Sequence, residues 1–311
     1  MDLFQKCHDF TDAIALREQG AYPYFIPLDK NEGTEVIYEG RRIIMCGSNN
    51  YLGLTTHPKV RQAAINAIAE YGTSCTGSRF LNGNMTMIED LEKELAAWVG
   101  KEAALIFSTG MQTNLGTISA LVGKDDIIIM DKEDHASIVD GAFLSGGKIE
   151  RFRHNDMDHL ERVLRSLPED KGKLLVVDGL FSMEGDIAPL PRMVELCEAY
   201  HVRLMVDDAH AFGVLGGGRG TAAHFGLTDK VDLIMSTFSK SMASIGGFIA
   251  GDFAIVDYIK HHARSLIFSA SIPPANTATV LAALQVMKEE PERIERVNQN
   301  GAFMRQGFKK L

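Results

Sequence analysis

The sequence predicts an α/β fold built on a mainly parallel central sheet, with helices covering both faces. Three observations carry this. Five runs, AALIFS (103–108), DIIIMD (126–131), KLLVVD (173–178), VRLMVDD (202–208) and VDLIMS (231–236), are almost continuously apolar, as strands buried on both faces are. Amphipathic helical patterns separate them. Each run ends on polar residues, where sheets of this kind bind ligands.

In chain order, the first ~50 residues predict a helix and then EVIYEGRRIIMC, two short strands around Glu39-Gly40. Apolar spacing predicts helices over 58–71 and 85–99. Strand 103–108 leads into a helix opening at Gly110, and strand 126–131 into a helix near 134–144. A helix over 190–200 connects strands 173–178 and 202–208. Residues 274–289 and 290–311 read as helices. Three parts are expected: an N-terminal segment, 1–55; a large cofactor-binding α/β domain, 56–290; and 291–311, the start of a C-terminal region whose small domain the sequence lacks.

Composition narrows the functional classes. The chain has 311 residues, 45% hydrophobic and 23% charged, and a net charge of −9. That balance disfavours a broad nucleic-acid footprint. No apolar run approaches the ~20 residues of a membrane span. The N-terminus has no basic region followed by an apolar stretch, hence no signal peptide. Cys7, Cys46, Cys75 and Cys197 lack CxxC spacing and are expected as reduced thiols of a cytoplasmic protein.

The strand ends carry the chemistry. Ser108-Thr109-Gly110 reads as a plain N-cap or as a phosphate seat, because a helix N-terminus offers free N–H groups and a favourable dipole. Asp207, closing an apolar strand, is a polar terminus or a buried acid in need of a cation. His135 and His210 are each, alone, more often structural than functional. Lys240 stands in STFSKSMASIGG, among hydroxyls and before two glycines. No GxGxxG, GxxxxGK[ST] or HExxH occurs, and GVLGGGRG (213–220) lacks nucleotide-loop spacing. One cofactor needs the whole remaining set: a helix start and hydroxyls for a phosphate, an acid for a pyridine nitrogen, a lysine for an aldehyde, and a flat side chain over a ring. That cofactor is pyridoxal 5′-phosphate.

The stretches SNNYLGL, GSRFLNGN, HASIVDG, DGLFSMEGD, DDAHAFGVLG, TFSKSMASIGGFIAG and FSASIPPA resemble the α-oxoamine synthases, fold-type I pyridoxal phosphate transferases that condense an amino acid with an acyl-CoA. The resemblance runs from about residue 20 to the end. Within the family, GSRFLNGN and TFSKSMASIGGF are most similar to bacterial members that use L-serine and palmitoyl-CoA. It implies a decarboxylating condensation giving 3-ketodihydrosphingosine, CoA and CO₂, the first step of sphingolipid synthesis. It further implies that Lys240 bonds the cofactor aldehyde, Asp207 pairs with the pyridinium nitrogen and His210 with the ring hydroxyl. His135 stacks on the ring and helps hold the substrate carboxylate. Gly110 and Met111 bind phosphate through backbone N–H groups, Thr237 and Ser239 add hydroxyls, and Ser182 lies near the ring. Asn49, Tyr71 and Ser78 match substrate-side positions. Ser269 and Ser271 match a segment reaching the partner subunit's phosphate in a homodimer. No metal is implied. The family's usual aromatic after the phosphate glycine is Met111 here, and its substrate-carboxylate arginine has no counterpart. The rivals are glycine C-acetyltransferase, 8-amino-7-oxononanoate synthase and a non-catalytic subunit on the same fold. A cytoplasmic enzyme is expected, with peripheral attachment to the inner membrane face left open.

Overall fold

The computed structural model describes residues 2–310. The chain divides into two units, Met1–Gly47 and Ser48–Leu311. The first contains two short helices, α1 (Gln5–His8) and α2 (Asp12–Glu18), neither with a buried residue. It also holds a three-stranded antiparallel sheet of β1 (Lys30–Asn31), β2 (Glu35–Tyr38) and β3 (Arg41–Ile44). The expected turn at Glu39-Gly40 is there, with both residues at positive φ.

The second unit opens with α3 (Pro58–Tyr71) and α4 (Thr86–Val99). It continues through β4 (Ala103–Phe107), α5 (Gly110–Leu121), β5 (Ile127–Asp131), α6 (Ala136–Ser145), β6 (Lys148–Phe152) and α7 (Met157–Ser166). Next come β7 (Lys173–Asp178), α8 (Leu190–Tyr200), β8 (Arg203–Asp207), α9 (Thr221–His224), β9 (Leu233–Thr237) and β10 (Gly247–Gly251). Four helices follow: α10 (Phe253–His262), α11 (Arg264–Ile267), α12 (Pro274–Glu289) and α13 (Glu292–Phe308). Among the described residues, no helix is long and apolar enough to cross a membrane.

The seven-stranded sheet has the order β4-β10-β9-β8-β7-β5-β6. It is parallel from β9 through β6, and β10 runs antiparallel to both neighbours. Alternate residues of each strand feed opposite cores, as the pleat requires. Ile127, Ile129, Leu175, Val177, Leu204 and Val206 pack on one side. Ile128, Met130, Leu174, Val176 and Met205 pack on the other. This mainly parallel architecture is the one expected.

Several elements were not foreseen, among them β6, α7 and β10 and the helices α9, α10 and α11. β6 (KIERF) lies at the sheet edge with only Phe152 buried, so its charged residues masked it. α7 follows it. β10 (GFIAG) is too glycine-rich to score as a strand, yet all five residues are buried. The glycine-rich 213–220 stretch is a set of tight turns pinned from two sides. Trp98 Nε1 donates to Gly218 O at 3.2 Å, and Asn298 Nδ2 to Val214 O at 2.9 Å.

Candidate active site

The carboxyl ends of β5, β7, β8 and β9 and the start of α5 surround a cavity of about 320 Å³. Its wall includes Gly110, Met111, His135, Ser182, Asp207, His210, Thr237, Ser239 and Lys240. Nine residues spread over 130 positions of sequence thus converge, because parallel strands bring their carboxyl ends to one edge of the sheet.

The α5 end of the cavity is built for an anion. Thr109 caps the helix, its side chain accepting from Gln112 N at 3.1 Å. Gly110 stands first, against Thr237; a Cβ there would fall 2.8 Å from Thr237 Oγ1. Glycine therefore keeps the helix N-terminus open beside two hydroxyls, those of Thr237 and Ser239, which lie 3.0 Å apart. Free N–H groups, the helix dipole and hydroxyls together suit a phosphate.

Asp207 is 3% exposed. Asn114 Nδ2 donates to its Oδ2 at 2.7 Å and Ala209 N to its Oδ1 at 2.9 Å, fixing the carboxylate in place. Lys240 follows β9 by three residues. Burial holds its ammonium below the usual lysine range, against the pull of Asp207 and Asp178. His210 Nδ1 lies 2.7 Å from the Tyr51 hydroxyl. Burial first, then the neighbouring cation of Lys240, pushes His210 down to about 4, so it is neutral near pH 7. His135 caps α6. Its Nδ1 meets Ser137 Oγ at 2.7 Å, and its backbone N–H donates to Asp178 Oδ2 at 2.9 Å.

Five expected residues stand outside the cavity wall. Asn49 Oδ1 lies 3.3 Å from the Tyr51 hydroxyl oxygen, Tyr71 is exposed at the end of α3, and Ser78 sits in the turn before α4. Ser269 Oγ accepts from Gln112 Nε2 at 2.8 Å. Ser271 is buried, with its hydroxyl unpartnered and its N–H on Gly77 O at 2.9 Å. Sequence reading missed Tyr51, Asn114 and Asp178. Asp178 closes an apolar strand just as Asp207 does, and that signal was available. Asn114 lies one turn past Gly110, which an i, i+4 reading of α5 would have found.

A phosphate seat, a buried fixed carboxylate, a neutral histidine and a lysine with a depressed pKa fit pyridoxal phosphate, and they define a fold-type I pyridoxal-phosphate-dependent enzyme. The chain belongs to the aminotransferase class I and II family, which matches residues 41–311. It is 52% identical over 305 residues to a serine palmitoyltransferase of Sphingobacterium spiritivorum, covering 98% of this chain and 76% of that protein. It is 44% identical over 292 residues to an 8-amino-7-oxononanoate synthase of Bacillus pumilus, covering 94% and 74%. Among solved structures, a serine palmitoyltransferase from S. paucimobilis with a bound PLP–myriocin aldimine superposes with a TM-score of 0.93. That pair is 35% identical over 96% of this chain and 76% of the other.

Proposed function

We propose that the chain is a pyridoxal-phosphate-dependent acyltransferase. It condenses L-serine with a long-chain acyl-CoA such as palmitoyl-CoA, releasing CO₂ and CoA and giving 3-ketodihydrosphingosine. The observation that carries the chemistry is Lys240 and the fixed, buried Asp207 lining one cavity with the open start of α5. The higher identity to serine palmitoyltransferase than to the oxononanoate synthase favours serine.

When bound, pyridoxal phosphate supplies an aldehyde carbon for amines and a ring that accepts electrons from an adjacent carbanion. Gly110 and Met111 hold its phosphate by backbone N–H groups, with the hydroxyls of Thr237 and Ser239 beside them. Asp207 would place a negative charge at the pyridine nitrogen and hold a proton there; removing such an electrostatic partner typically costs ~3–4 kcal/mol of barrier. With Tyr51 donating to His210 Nδ1, the neutral ring carries its proton at Nε2 and offers it to the ring oxygen. His135, at the cavity wall, would stack on the cofactor ring and steady the serine carboxylate, and Ser182 would stand near the ring. Lys240 would hold the aldehyde carbon, and its amine would move the proton of the serine Cα, a task its lowered pKa suits.

The roles of Asn49, Tyr71 and Ser78 on the substrate side belong to the same proposal. So do Ser269 and Ser271. Neither lines its own chain's cavity, which supports their reaching the phosphate of a second subunit in a homodimer. Four unpaired thiols favour a cytoplasmic setting.

Turnover with serine, glycine and alanine, each against palmitoyl-, acetyl- and pimeloyl-CoA, tests the proposal by CoA release. Serine with palmitoyl-CoA is expected to be fastest. Faster CoA release from glycine with acetyl-CoA, or from alanine with pimeloyl-CoA, would transfer the assignment to that reaction.

A further inference from the structure

We propose that His154, as an imidazolium, is a positioning residue that ties the loop carrying Ser182 to the carboxylates seating His135. The proposal rests on the reading above for what Ser182 and His135 touch. His154 follows β6. Its Nδ1 lies 3.0 Å from Asp131 Oδ1, and its Nε2 3.1 Å from Asp186 Oδ2. An ionised carboxylate only accepts hydrogen bonds. A neutral imidazole has one N–H and would turn a lone pair towards the other acid; only the doubly protonated ring serves both.

Each acid leads to a wall of the cavity. Asp131 closes β5, and its N–H donates to Asp134 Oδ2 at 2.7 Å. Asp134 Oδ1 accepts from Asp178 N at 2.9 Å, and Asp178 Oδ2 accepts from His135 N at 2.9 Å. That ladder sets the backbone of His135. Asp186 ends the loop that holds Ser182. Phe181 N donates to Asp186 O and Gly185 N to Phe181 O, both at 3.0 Å. The tip of this loop has little packing of its own, since Met183 is 88% exposed. The edge of His154 meets Phe181 at the loop's root, with centroids 4.5 Å apart and planes at 86°. Asn155 spans the same two acids, its N–H on Asp131 Oδ2 and its Nδ2 on Asp186 Oδ2, each at 2.9 Å.

The charged groups facing the ring are Asp131 from the end of β5 and Asp186 from the loop. Asp134 stands one bond behind Asp131, and Arg153, next to His154, is paired with Asp156 at 2.6 Å. Burial pulls the imidazolium down, but Asp131 and Asp186 outweigh it and hold His154 above the usual histidine range. The sign follows. A histidine raised by folding holds its partners below its unfolded pKa, and the hold is lost as pH rises through the folded value. The loop is therefore tied below the folded His154 value and released above it.

Two measurements on the cofactor-loaded chain test this: NMR titration of the His154 ring, and hydrogen exchange of the peptide spanning 181–187, corrected for intrinsic rates. His154 is expected to titrate above ~6.5. Over the same range, loop exchange rises roughly tenfold, the weight of one hydrogen bond to a charged group. In His154→Gln the exchange is already high and flat with pH. Asp186→Asn lowers the His154 midpoint and speeds exchange in acid. A wild-type His154 that titrates at or below ~6.5, or a loop whose exchange ignores that titration, overturns the proposal. Cofactor absorbance on the same samples reports the site separately. A chain without bound cofactor that still shows the coupled titration supports the clamp and sinks the cofactor reading instead.

Discussion

Lys240 must lose a proton before it can bond an aldehyde carbon, so its environment decides when the site can be loaded. Burial disfavours the ammonium, and Asp207 and Asp178 only partly restore it. The rate of cofactor uptake by the apo chain is therefore expected to rise with pH and level off below 10.5, the ordinary lysine value. Stopped-flow absorbance at a series of pH values reads this directly. Lys240→Ala is expected to lose the imine absorbance of the loaded chain, whatever the pH. A plateau at or beyond the ordinary lysine value contradicts the burial argument; an imine absorbance unchanged in the alanine variant, with no amine added, contradicts the lysine assignment. Most residues of the cavity wall were legible because strand ends announce themselves in sequence; Asn114 and Asp178 line it too and were missed. Contacts between distant segments were not legible. Tyr51 meets His210 across 159 positions and Asn114 meets Asp207 across 93, and no local pattern encodes such pairings.

At the scale of the element, the parallel core and the β4 edge were legible, and the β6 edge and the glycine-rich β10 were not. Buried parallel strands are apolar runs, so 173–178 and the helix 190–200 coincide with β7 and α8. Edge strands and glycine-rich strands lack that signature, which hid β6 and β10. The other edge, β4, shows how an exposed ladder is closed. Ile106 N donates to Glu92 Oε1 at 2.7 Å, and Arg79 Nη1 donates to Ile106 O at 3.1 Å. Arg79 and Glu92 are themselves paired, with side chains 5% and 11% exposed. One ion pair thus satisfies both backbone groups of an edge residue. It also ties the 77–84 turn to α4, because Arg79 stands in the turn and Glu92 in the helix; within the turn, Asn84 Oδ1 accepts from Arg79 Nε at 2.9 Å. Glu92→Gln leaves the guanidinium buried without its counter-charge and is expected to lower stability by about 3–5 kcal/mol. Urea unfolding measures the loss. A drop under about 1 kcal/mol, the value of an exposed pair, would show that the edge is sealed by something else.

At the scale of the whole molecule, the chain carries a net charge of −9 and still buries acids under the sheet's carboxyl edge. Asp134, Asp178 and Asp208 are all held above the usual carboxylate range. Burial is the main cause, reinforced by Asp178 beside Asp134 and by Asp207 beside the other two. Asp208 is pushed from 3.8 up to about 7. Its Oδ2 accepts from Thr221 N at 2.9 Å, while its Oδ1 and the Thr221 hydroxyl find no partner. The folded chain keeps protons here that the unfolded chain has already released. Stability therefore falls as pH rises from about 3.8 to about 7, and the cost is complete above that window. Asp208→Asn keeps an acceptor for Thr221 N, adds a donor for the Thr221 hydroxyl and carries no charge. It is expected to match the parent chain near pH 4 and to exceed it by about 2–4 kcal/mol near pH 8. Denaturant unfolding of both apo chains at a series of pH values measures the difference. A stability gap between the two that stays constant from acid to alkali would mean that folding does not raise the Asp208 pKa, and that the hydrogen bonds from Thr221 offset the cost of burial.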